Sequence, residues 1–509
     1  MKKVNILILS AAVLGITIFA VHKKSEDSFN LVLFSTTDIH GSLFPYDGIK
    51  NEPVDHSLAQ VSYLLNDLRK NKKNEVIYLD GGDFYQGDSV IYYFTEMREG
   101  PNVGAAVLNY LKLDSMAVGN HDIERGHPVY DKVVKEMEFP FMAANAIDKT
   151  TKNPYFPPYT IINRRGVKIA VLGMVTPSLT HSIPEYLWDR IEFEDIVESS
   201  EKWIPIIREN ENPDLIVGLF HSGLGTEKRE YMGENVSLYT ALNVDGFDII
   251  FKGHDHLTHL TNVISPSGKP VVVLGGANAV KTASQVQIPI KKVNGKWSLG
   301  QAKGSIIAFE NKNKPADQQF LTHFKNEFTE ATNVLAQPIG TLSQPISSKK
   351  SLFGPSEFVD FIHQLQYNIV QKELGMPVDF SIAGPFSLSD ISTNVVFRDL
   401  FGIYYYDNWP AIVELKGSEI KKMLEYFFHG WFNTMTGPDS YLLDYIFNSK
   451  GQMIPDHRGG VYVLKKPFIY FDNLAGLDFT IDLRNNPGDR VTIEKLSNGQ
   501  LLIITKNIK

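Results

Sequence analysis

Short apolar runs, each followed directly by a polar loop, recur along the first half of the chain. The runs are rich in β-branched and aromatic residues, and the loops contain glycine, as at the ends of buried strands. The predicted strands are Phe29–Ser35, Glu75–Leu79, Ser115–Val118, Leu215–Phe220 and Gly246–Phe251. Helical periodicity lies between them, for example over Ser57–Asn71 and Gly104–Leu111. This alternation predicts an α/β domain with its binding groups at the carboxyl ends of the strands.

At 509 residues the chain is too long for one hydrophobic core, which predicts more than one domain. The first domain is placed at residues 29–309, and a polar, lysine-rich connection with a helix follows at residues 310–338. The first domain is closed by predicted strands Val271–Leu274, Ala283–Ile290 and Trp297–Ala302. Residues 339–509 are expected to form a second, smaller α/β unit. Its predicted elements are helices Ser356–Lys372 and Ser418–Phe432 and strands Asp379–Ala383, Ala411–Leu415 and Leu477–Leu483.

The N-terminal residues 1–24 have the pattern of an export signal. Lys2 and Lys3 precede an apolar run, Val4–Val21, and more basic residues follow it. The run lacks a clear small-residue cleavage site and is nearly long enough to span a bilayer, so an uncleaved signal-anchor is an alternative to a signal peptide. We therefore expect an exported protein, periplasmic or at the cell surface, that contacts a membrane only through this segment if it is uncleaved.

Composition narrows the kinds of chemistry and partner. The chain has no cysteine, which excludes disulfides, thiolate catalysis and cysteine-ligated metals. Its net charge of −8 gives no basic surface for a nucleic-acid polymer. The same charge repels anionic ligands, so a phosphate-bearing substrate would need a local positive site, which bound metal ions can supply. No obligate protein partner is indicated.

The loops after the predicted strands share carboxylate, amide and imidazole side chains, the ligand types of Zn, Mn, Fe or Co. Asp-x-His and His-x-His spacings place pairs of them on the same side of an extended segment. The residues are Asp38, His40, Asp83, Asn120, His121, His221, His254 and His256.

This ordered set resembles the metallophosphoesterase (calcineurin-like) superfamily. The resemblance implies a four-layer αββα sandwich and two divalent metal ions, whose bridging hydroxide attacks a phosphate ester. It implies that Asp83 bridges the ions. One ion would be completed by Asp38, His40 and His256, and the other by Asn120, His221 and His254.

By the same resemblance His121 is a general acid that acts on the phosphoryl group or the leaving oxygen. An acidic side chain orients such a histidine. Glu124 is the predicted partner, with Asp122 as the alternative, because relatives have the two acid types exchanged at these positions.

The second unit resembles the C-terminal domain of 5′-nucleotidases through Ser381–Phe386, Val396–Phe401, Glu414–Lys421 and Leu477–Val491. The details are similar to bacterial bifunctional 5′-nucleotidase/2′,3′-cyclic-nucleotide phosphodiesterases. The resemblance implies that Tyr406 and Asn408 contact the base of a nucleotide. The alternative for Tyr406 is that it is a packed aromatic among neighbouring tyrosines.

Two features depart from the family pattern. The arginine motif that holds phosphate in strict 5′-nucleotidases is replaced by Ala383-Gly384-Pro385-Phe386, so a preference for 5′-monophosphates does not follow. The chain also ends at Lys509, before the family's last glycine-rich strand, and we expect either a one-sided base site or a truncated C terminus.

Together these patterns predict an exported metal-dependent phosphoesterase that acts on small nucleotides, as a 5′-nucleotidase, a 2′,3′-cyclic-nucleotide phosphodiesterase or both. The substrate is expected between the two domains. Three alternatives are left open: a nucleotide-sugar pyrophosphate hydrolase, a hydrolase of carrier-bound thiosulfate esters, and a non-catalytic surface binding protein of the same fold.

Overall fold

The structure is a computed structural model that describes residues 28–375, 377–404, 408–456 and 461–496. The predicted signal peptide or anchor at residues 1–24 lies outside these ranges. Among the described residues, no helix is long and apolar enough to cross a bilayer.

The strands of the first unit build two large sheets. They are β1 (Ser28–Thr36), β2 (Tyr46–Asp47), β3 (Glu52–Pro53), β4 (Asn74–Asp80), β5 (Ser115–Ala117), β6 (Phe141–Met142), β7 (Ala146–Asp148), β8 (Tyr159–Arg164), β9 (Val167–Val175), β10 (Ile191–Phe193), β11 (Leu215–His221), β12 (Ile249–Lys252), β13 (His259–Ile264), β14 (Pro270–Gly275), β15 (Thr282–Val293), β16 (Lys296–Leu299) and β17 (Lys303–Ala308).

The first sheet has the order β16-β15-β1-β4-β5-β6, with β17 also paired to β15, and the second has the order β13-β14-β12-β11-β9-β8. In the first sheet β1, β4 and β5 run parallel, and in the second β9, β11 and β12 do. The loops after these strands therefore lie at one edge of each sheet, where open α/β sheets bind their ligands.

The helices of this part of the chain cover the outer faces of the sheets. They are α1 (Leu58–Lys70), α2 (Ser89–Tyr92), α3 (Val103–Tyr110), α4 (Asn120–Ile123), α5 (His127–Glu136), α6 (Leu179–Ser182), α7 (Ile196–Glu211), α8 (Ser237–Asn243), α9 (Gln318–His323) and α10 (Lys325–Leu335). Ser57 caps α1 by accepting a hydrogen bond from the Ala59 amide, which explains why the helix begins where the sequence predicts it.

The core has three apolar layers because successive strand residues point to opposite faces. In β9, Ile169 and Val171 join the layer between the two sheets. Ala170 and Leu172 of the same strand join the layer that also holds residues of α7 and α8. The other outer layer packs α1, α3 and α5 against the first sheet. The predicted four-layer αββα sandwich is thus confirmed.

The predicted connection at residues 310–338 is docked on the first unit over most of its length. Phe320, Phe324 and Leu335 of α9 and α10 are buried in the outer layer of the first sheet. Asp317 caps α9 and also accepts hydrogen bonds from Ser62 and Asn66 of α1. These contacts tie the end of the first unit back to its first helix.

The second unit is built from short strand pairs around two helices and its own apolar clusters. Its elements are β18 (Pro338–Thr341), β19 (Ile346–Ser347), α11 (Glu357–Leu374), β20 (Ser381–Ala383), β21 (Asp390–Ile391), β22 (Asn394–Val396), α12 (Gly417–Phe428), β23 (Pro455–Asp456), β24 (Val461–Tyr462), β25 (Asn473–Ala475), β26 (Leu477–Ile481) and β27 (Val491–Leu496). The prediction of a strand at Ala411–Leu415 is wrong, since these residues are irregular. Instead of pairing with a strand, they line a cavity, which leaves Ile412 and Val413 exposed.

Candidate active site

The residues predicted to bind metal lie at the carboxyl ends of the parallel strands in both sheets. Asp38 and His40 follow β1, and Asp83 follows β4. Asn120 begins α4 just after β5, and His221 is the last residue of β11. His254 and His256 follow β12.

Two groups of these side chains converge. Possible ligand atoms of Asp38, His40 and His256 lie within 4.8 Å of one another, and those of Asp83, His221 and His254 do the same. Asn120 joins the second group, because its Oδ1 lies 3.0 Å from His221 Nε2. The structure therefore brings together all the side chains that the sequence selects as metal ligands.

The loops that carry these groups have a strained backbone. Asp38, His40, Asp83, His254 and His256 all have positive φ, between 47° and 75°. This left-handed conformation is uncommon for residues other than glycine. Such strain clusters at functional sites, where the surrounding structure enforces it.

Buried carbonyl groups fix the ring orientation of two histidines. His40 Nδ1 donates to the Gln86 carbonyl at 2.9 Å, and His221 Nδ1 donates to the Gly81 carbonyl at 2.8 Å. A carbonyl can only accept, so each Nδ1 carries a hydrogen, and Nε2 is the nitrogen available to a metal. His40 Nε2 faces His256 Nε2 at 3.0 Å, a pairing of two nitrogens that a shared cation would stabilise.

An orphaned oxygen indicates that a cation fits here. Asp83 Oδ2 is buried and has no hydrogen-bond partner; His221 Nε2 lies 3.0 Å away, but the pair lacks hydrogen-bond geometry. A buried carboxylate oxygen without a partner is costly. A divalent ion at this position would satisfy it, and the carboxylate, amide and imidazole donors suit Mn, Zn, Fe or Co.

The charges of the site favour ionised carboxylates. Burial opposes ionisation of Asp38 and Asp83, but nearby histidines outweigh it and hold the pKa of each carboxyl below its ordinary value. Burial lowers the pKa of His40 to about 4. Burial also opposes a charge on His221, but Asp83 and Asp38 outweigh it and raise the pKa of His221 to about 10. Without metal, His221 is therefore protonated at neutral pH, and a metal ion must displace that proton.

His121 lies beside the two groups and has an acidic partner. Its backbone amide donates to Asp83 Oδ1 at 2.8 Å, and its Nδ1 contacts Glu124 Oε2. Glu124 is buried and its other oxygen accepts from Arg125 at 3.1 Å. Burial opposes a charge on His121, but Asp83 and Glu124 outweigh it and raise its pKa.

Asp122, the alternative partner of His121, has a different set of contacts. Its carboxylate accepts hydrogen bonds from the backbone amides of Asp83, Phe84, Tyr85 and Gly119. These bonds join the loop after β4 to the loop after β5. Asp122 therefore holds the Asp83 loop in place, and Glu124 is the carboxylate against His121.

Several residues that support the site were not predicted from the sequence. Glu234 accepts a hydrogen bond from His254 Nε2 at 2.7 Å. The buried Lys252 contacts Asp255 and the Leu257 carbonyl, which holds the loop that carries His254 and His256. A lysine directly before the Gly-His-x-His motif was a usable signal, whereas only the tertiary structure brings Glu234 to His254.

A cavity of about 910 Å³ lies between the two units, and its lining includes residues next to the ligand loops but none of the ligands themselves. Gln86 and Arg125 line it from the first unit, and Phe386, Tyr404 and Asn408 line it from the second. Gln86 links the cavity to the ligands, because its carbonyl is the acceptor for His40.

Of the two predicted base contacts, Asn408 lines this cavity, and Tyr406 lies outside the described residues. The rings of Phe386 and Tyr404 are 5.0 Å apart on the cavity wall. Arg398 is buried between the units, where it donates to Tyr46 Oη and Asn51 Oδ1 of the first unit, each at 2.5 Å. It therefore joins the two units.

Comparison with known families agrees with this architecture. Residues 33–257 match the family described as calcineurin-like phosphoesterase, and residues 338–506 match the 5′-nucleotidase C-terminal domain. The chain belongs to the calcineurin-like phosphoesterases that carry a 5′-nucleotidase C-terminal domain. The recognition made from the strand-end motifs is thus confirmed, and with it the enzyme class, a phosphoric ester hydrolase. Divalent metals are the cofactors of this family.

Individual relatives are about a quarter identical to the chain over the aligned residues. A trifunctional nucleotide phosphoesterase of Bacillus subtilis is 25% identical over 89% of this chain, which spans only 34% of that protein's length. A 2′,3′-cyclic-nucleotide 2′-phosphodiesterase/3′-nucleotidase of Haemophilus influenzae is 25% identical over 80% of this chain and 68% of its own length. A crystal structure of a 5′-nucleotidase precursor from Thermus thermophilus superposes with a TM-score of 0.61 at 20% identity, over 94% of this chain and 87% of that one.

Proposed function

We propose that the protein hydrolyses phosphate esters of nucleotides at a two-metal centre formed by the converging side chains. The observation that carries this proposal is the convergence of two groups of metal-binding side chains at the strand ends, near a cavity that both units line. One group is Asp38, His40 and His256. The other is Asp83, His221 and His254 with Asn120. Bound divalent ions, of Mn, Zn, Fe or Co, would supply Lewis acidity and a nucleophilic water near neutral pH.

The chain's own groups have separate roles in this proposal. Asp83, at the centre of the cluster, is assigned as the carboxylate shared by both ions. His121, whose ring contacts Glu124, donates a proton to the leaving oxygen of the ester. Asp122 keeps Asp83 in position through the amides that it binds. The cavity receives the nucleoside, with the Asn408 side chain on the wall that would face the base.

Cyclic and 3′-phosphates are the proposed substrates of first choice. The Haemophilus relative, which aligns with most of this chain, is named for activity on 2′,3′-cyclic nucleotides and 3′-nucleotides. The segment Ala383-Gly384-Pro385-Phe386 also lacks the arginine expected of a strict 5′-nucleotidase. Export to the periplasm or cell surface is part of the proposal and rests on the sequence pattern of residues 1–24 alone.

Phosphate release by the purified protein tests the proposal. The substrates are 2′,3′-cyclic AMP, 3′-AMP, 5′-AMP, UDP-glucose and an aryl phosphate, each with Mn²⁺ or Zn²⁺. A chelator followed by excess metal is the control. We expect metal-dependent turnover of nucleotides, with 2′,3′-cyclic AMP and 3′-AMP ahead of 5′-AMP.

Other outcomes separate the parts of the proposal. Turnover of UDP-glucose alone would support the metal centre and replace the substrate class. Turnover of the aryl phosphate alone would support the metal centre and contradict the binding of a nucleoside in the cavity. No turnover of any substrate by protein that binds two ions would favour a non-catalytic binding protein.

A further inference from the structure

His40, His221 and His254, three of the predicted metal ligands, are held in two different ways. His40 and His221 each donate Nδ1–H to a backbone carbonyl, and those carbonyls cannot change their charge or be removed by a substitution. His254 instead has its Nε2 bonded to the Glu234 carboxylate at 2.7 Å. Its ring is thus reversed relative to the other two, and a side chain holds it.

This bond leaves Nδ1 as the nitrogen of His254 that can bind a metal. An ionised carboxylate can accept hydrogen bonds but cannot donate one, so Nε2 carries the hydrogen in this pair. A metal-ligating histidine commonly donates its other N–H to a carboxylate, which fixes the tautomer and makes the ligating nitrogen more basic. Glu234 and His254 have this arrangement.

The backbone next to Glu234 is anchored to the strand that carries another ligand. Ser222 directly follows His221 and is buried. Its hydroxyl donates to the Glu234 carbonyl at 2.8 Å and accepts from the Val236 amide at 3.0 Å. The Gly223 amide donates to the Asn235 side chain at 3.0 Å. The end of β11 therefore fixes the position of Glu234. Through Glu234, the loop before α8 connects the strand that carries His221 to the side chain of His254.

Because Glu234 is exposed, the alternative is that it forms a surface ion pair with no role in metal binding. Its side chain is 54% exposed, whereas that of His254 is 13% exposed. An exposed ion pair alone contributes little to folding stability. A role in folding and a role in metal binding therefore predict different results, because only the second makes metal affinity depend on this carboxylate.

We propose that Glu234 is a positioning residue for the second metal ion, which it serves by holding His254 in the tautomer and orientation that bind that ion. This inference rests on the proposed two-metal centre. The ligand set alone does not predict that the affinity for one ion depends on an exposed loop. The affected ion is the one at Asp83, Asn120, His221 and His254. The ion at Asp38, His40 and His256 does not depend on this loop.

Metal titration of the full chain tests this inference without using turnover. Metal-free wild type, Glu234→Ala, Glu234→Gln and the matched control Glu230→Gln are titrated with Co²⁺ and Zn²⁺ against a competing chelator. Bound ions are counted by mass spectrometry, and the visible absorption of Co²⁺ reports its ligands. Glu230 is an exposed glutamate of the same loop.

We expect two ions in wild type and in Glu230→Gln. In Glu234→Ala, one of the two binding steps should lose about 10–100-fold in affinity while the other is unchanged, with an altered Co²⁺ spectrum. Glu234→Gln should lose less, because its amide oxygen still accepts from Nε2. Thermal unfolding of the metal-free proteins should not differ.

Two results would overturn the inference in distinguishable ways. If Glu234→Ala binds both ions as tightly as wild type, the role of Glu234 is wrong and the metal centre is unaffected. If wild type itself binds fewer than two ions, the two-metal centre fails, and this inference fails with it. If the alanine variant did not fold, the glutamine variant would decide between these outcomes.

Discussion

The two units contribute to the site and its neighbouring cavity in opposite ways. In the first unit, Asp38 and Asp83 are almost completely buried, and backbone amides of other loops bind their carboxylates. In the second unit, the wall at Ile412 and Val413 is apolar, irregular and 45–54% exposed. The first unit therefore has fixed polar groups suited to chemistry, and the second has a surface suited to selecting a ligand. Substitutions in the first unit should lower kcat, and those in the second should raise KM.

The largest expected effect is the loss of the central carboxylate. Asp83→Asn keeps the size of the side chain but removes the charge that two metal ions would share. We expect kcat to fall by at least about 10³-fold, since an electrostatic contact in the reaction centre is lost along with metal binding. Phosphate release and metal content measure this. Retention of both ions with wild-type kcat would contradict the assignment of Asp83.

Removal of the proposed acid should depend on the leaving group. His121→Ala is expected to lower kcat for a nucleotide by about 10²–10⁴-fold, the usual contribution of general acid catalysis. The loss should be much smaller for an aryl phosphate whose leaving group needs no proton. Steady-state kinetics with both substrates measure the difference.

Two neighbouring carboxylates provide matched controls for His121. Glu124→Gln should reproduce part of the same leaving-group dependence, because Glu124 contacts the ring. Asp122→Asn should instead weaken the loop that carries Asp83, with similar losses for both substrates. An equal loss for both substrates in His121→Ala would argue against its role as an acid.

Metal binding in the first unit should release a proton. The pKa of His221 is raised to about 10 in the metal-free protein, so at pH 7 its proton must leave before the ring binds an ion. His40, whose pKa is lowered to about 4, is already neutral and releases none. We expect metal affinity at this step to rise about tenfold per pH unit until the pH reaches the pKa of His221.

Calorimetric titration in two buffers of different ionisation enthalpy counts this proton. One proton should be released at pH 7, and none above the pKa of His221. Binding without proton release at pH 7 would contradict the charge assigned to His221 by its contacts with Asp83 and Asp38.

The contrast between the units also explains how far the sequence could be interpreted. The ligands of the first unit follow buried strands directly, so an apolar run with a short polar motif locates both the strand and the site. Glu234 escaped notice because only the folded chain brings it to His254. The β8–β9 hairpin, Tyr159–Val175, was also not predicted. In the structure its turn at Arg165 and Gly166 has the positive φ typical of tight hairpins.

In the second unit, apolar runs predicted the strands less well. Ala411–Leu415 has the composition of a strand, but its apolar side chains line a cavity, and an apolar run alone does not distinguish an exposed cavity wall from a buried strand. The predicted contact Tyr406 lies outside the described residues, so only Asn408 can be tested against this structure.

The smallest expected effect is the loss of the Asn408 side chain from the cavity wall. A single hydrogen bond to a base contributes about 0.5–1.5 kcal/mol. Asn408→Ala should therefore raise KM for a nucleotide by about 2–10-fold with little change in kcat. Lys372→Ala, an exposed position on α11 away from the cavity lining, is the control and should change neither constant. The aryl phosphate, which has no base, should show no change in KM with Asn408→Ala. A fall in kcat instead of a rise in KM would mean that the second unit takes part in the chemical step, and the division of roles between the units would then be wrong.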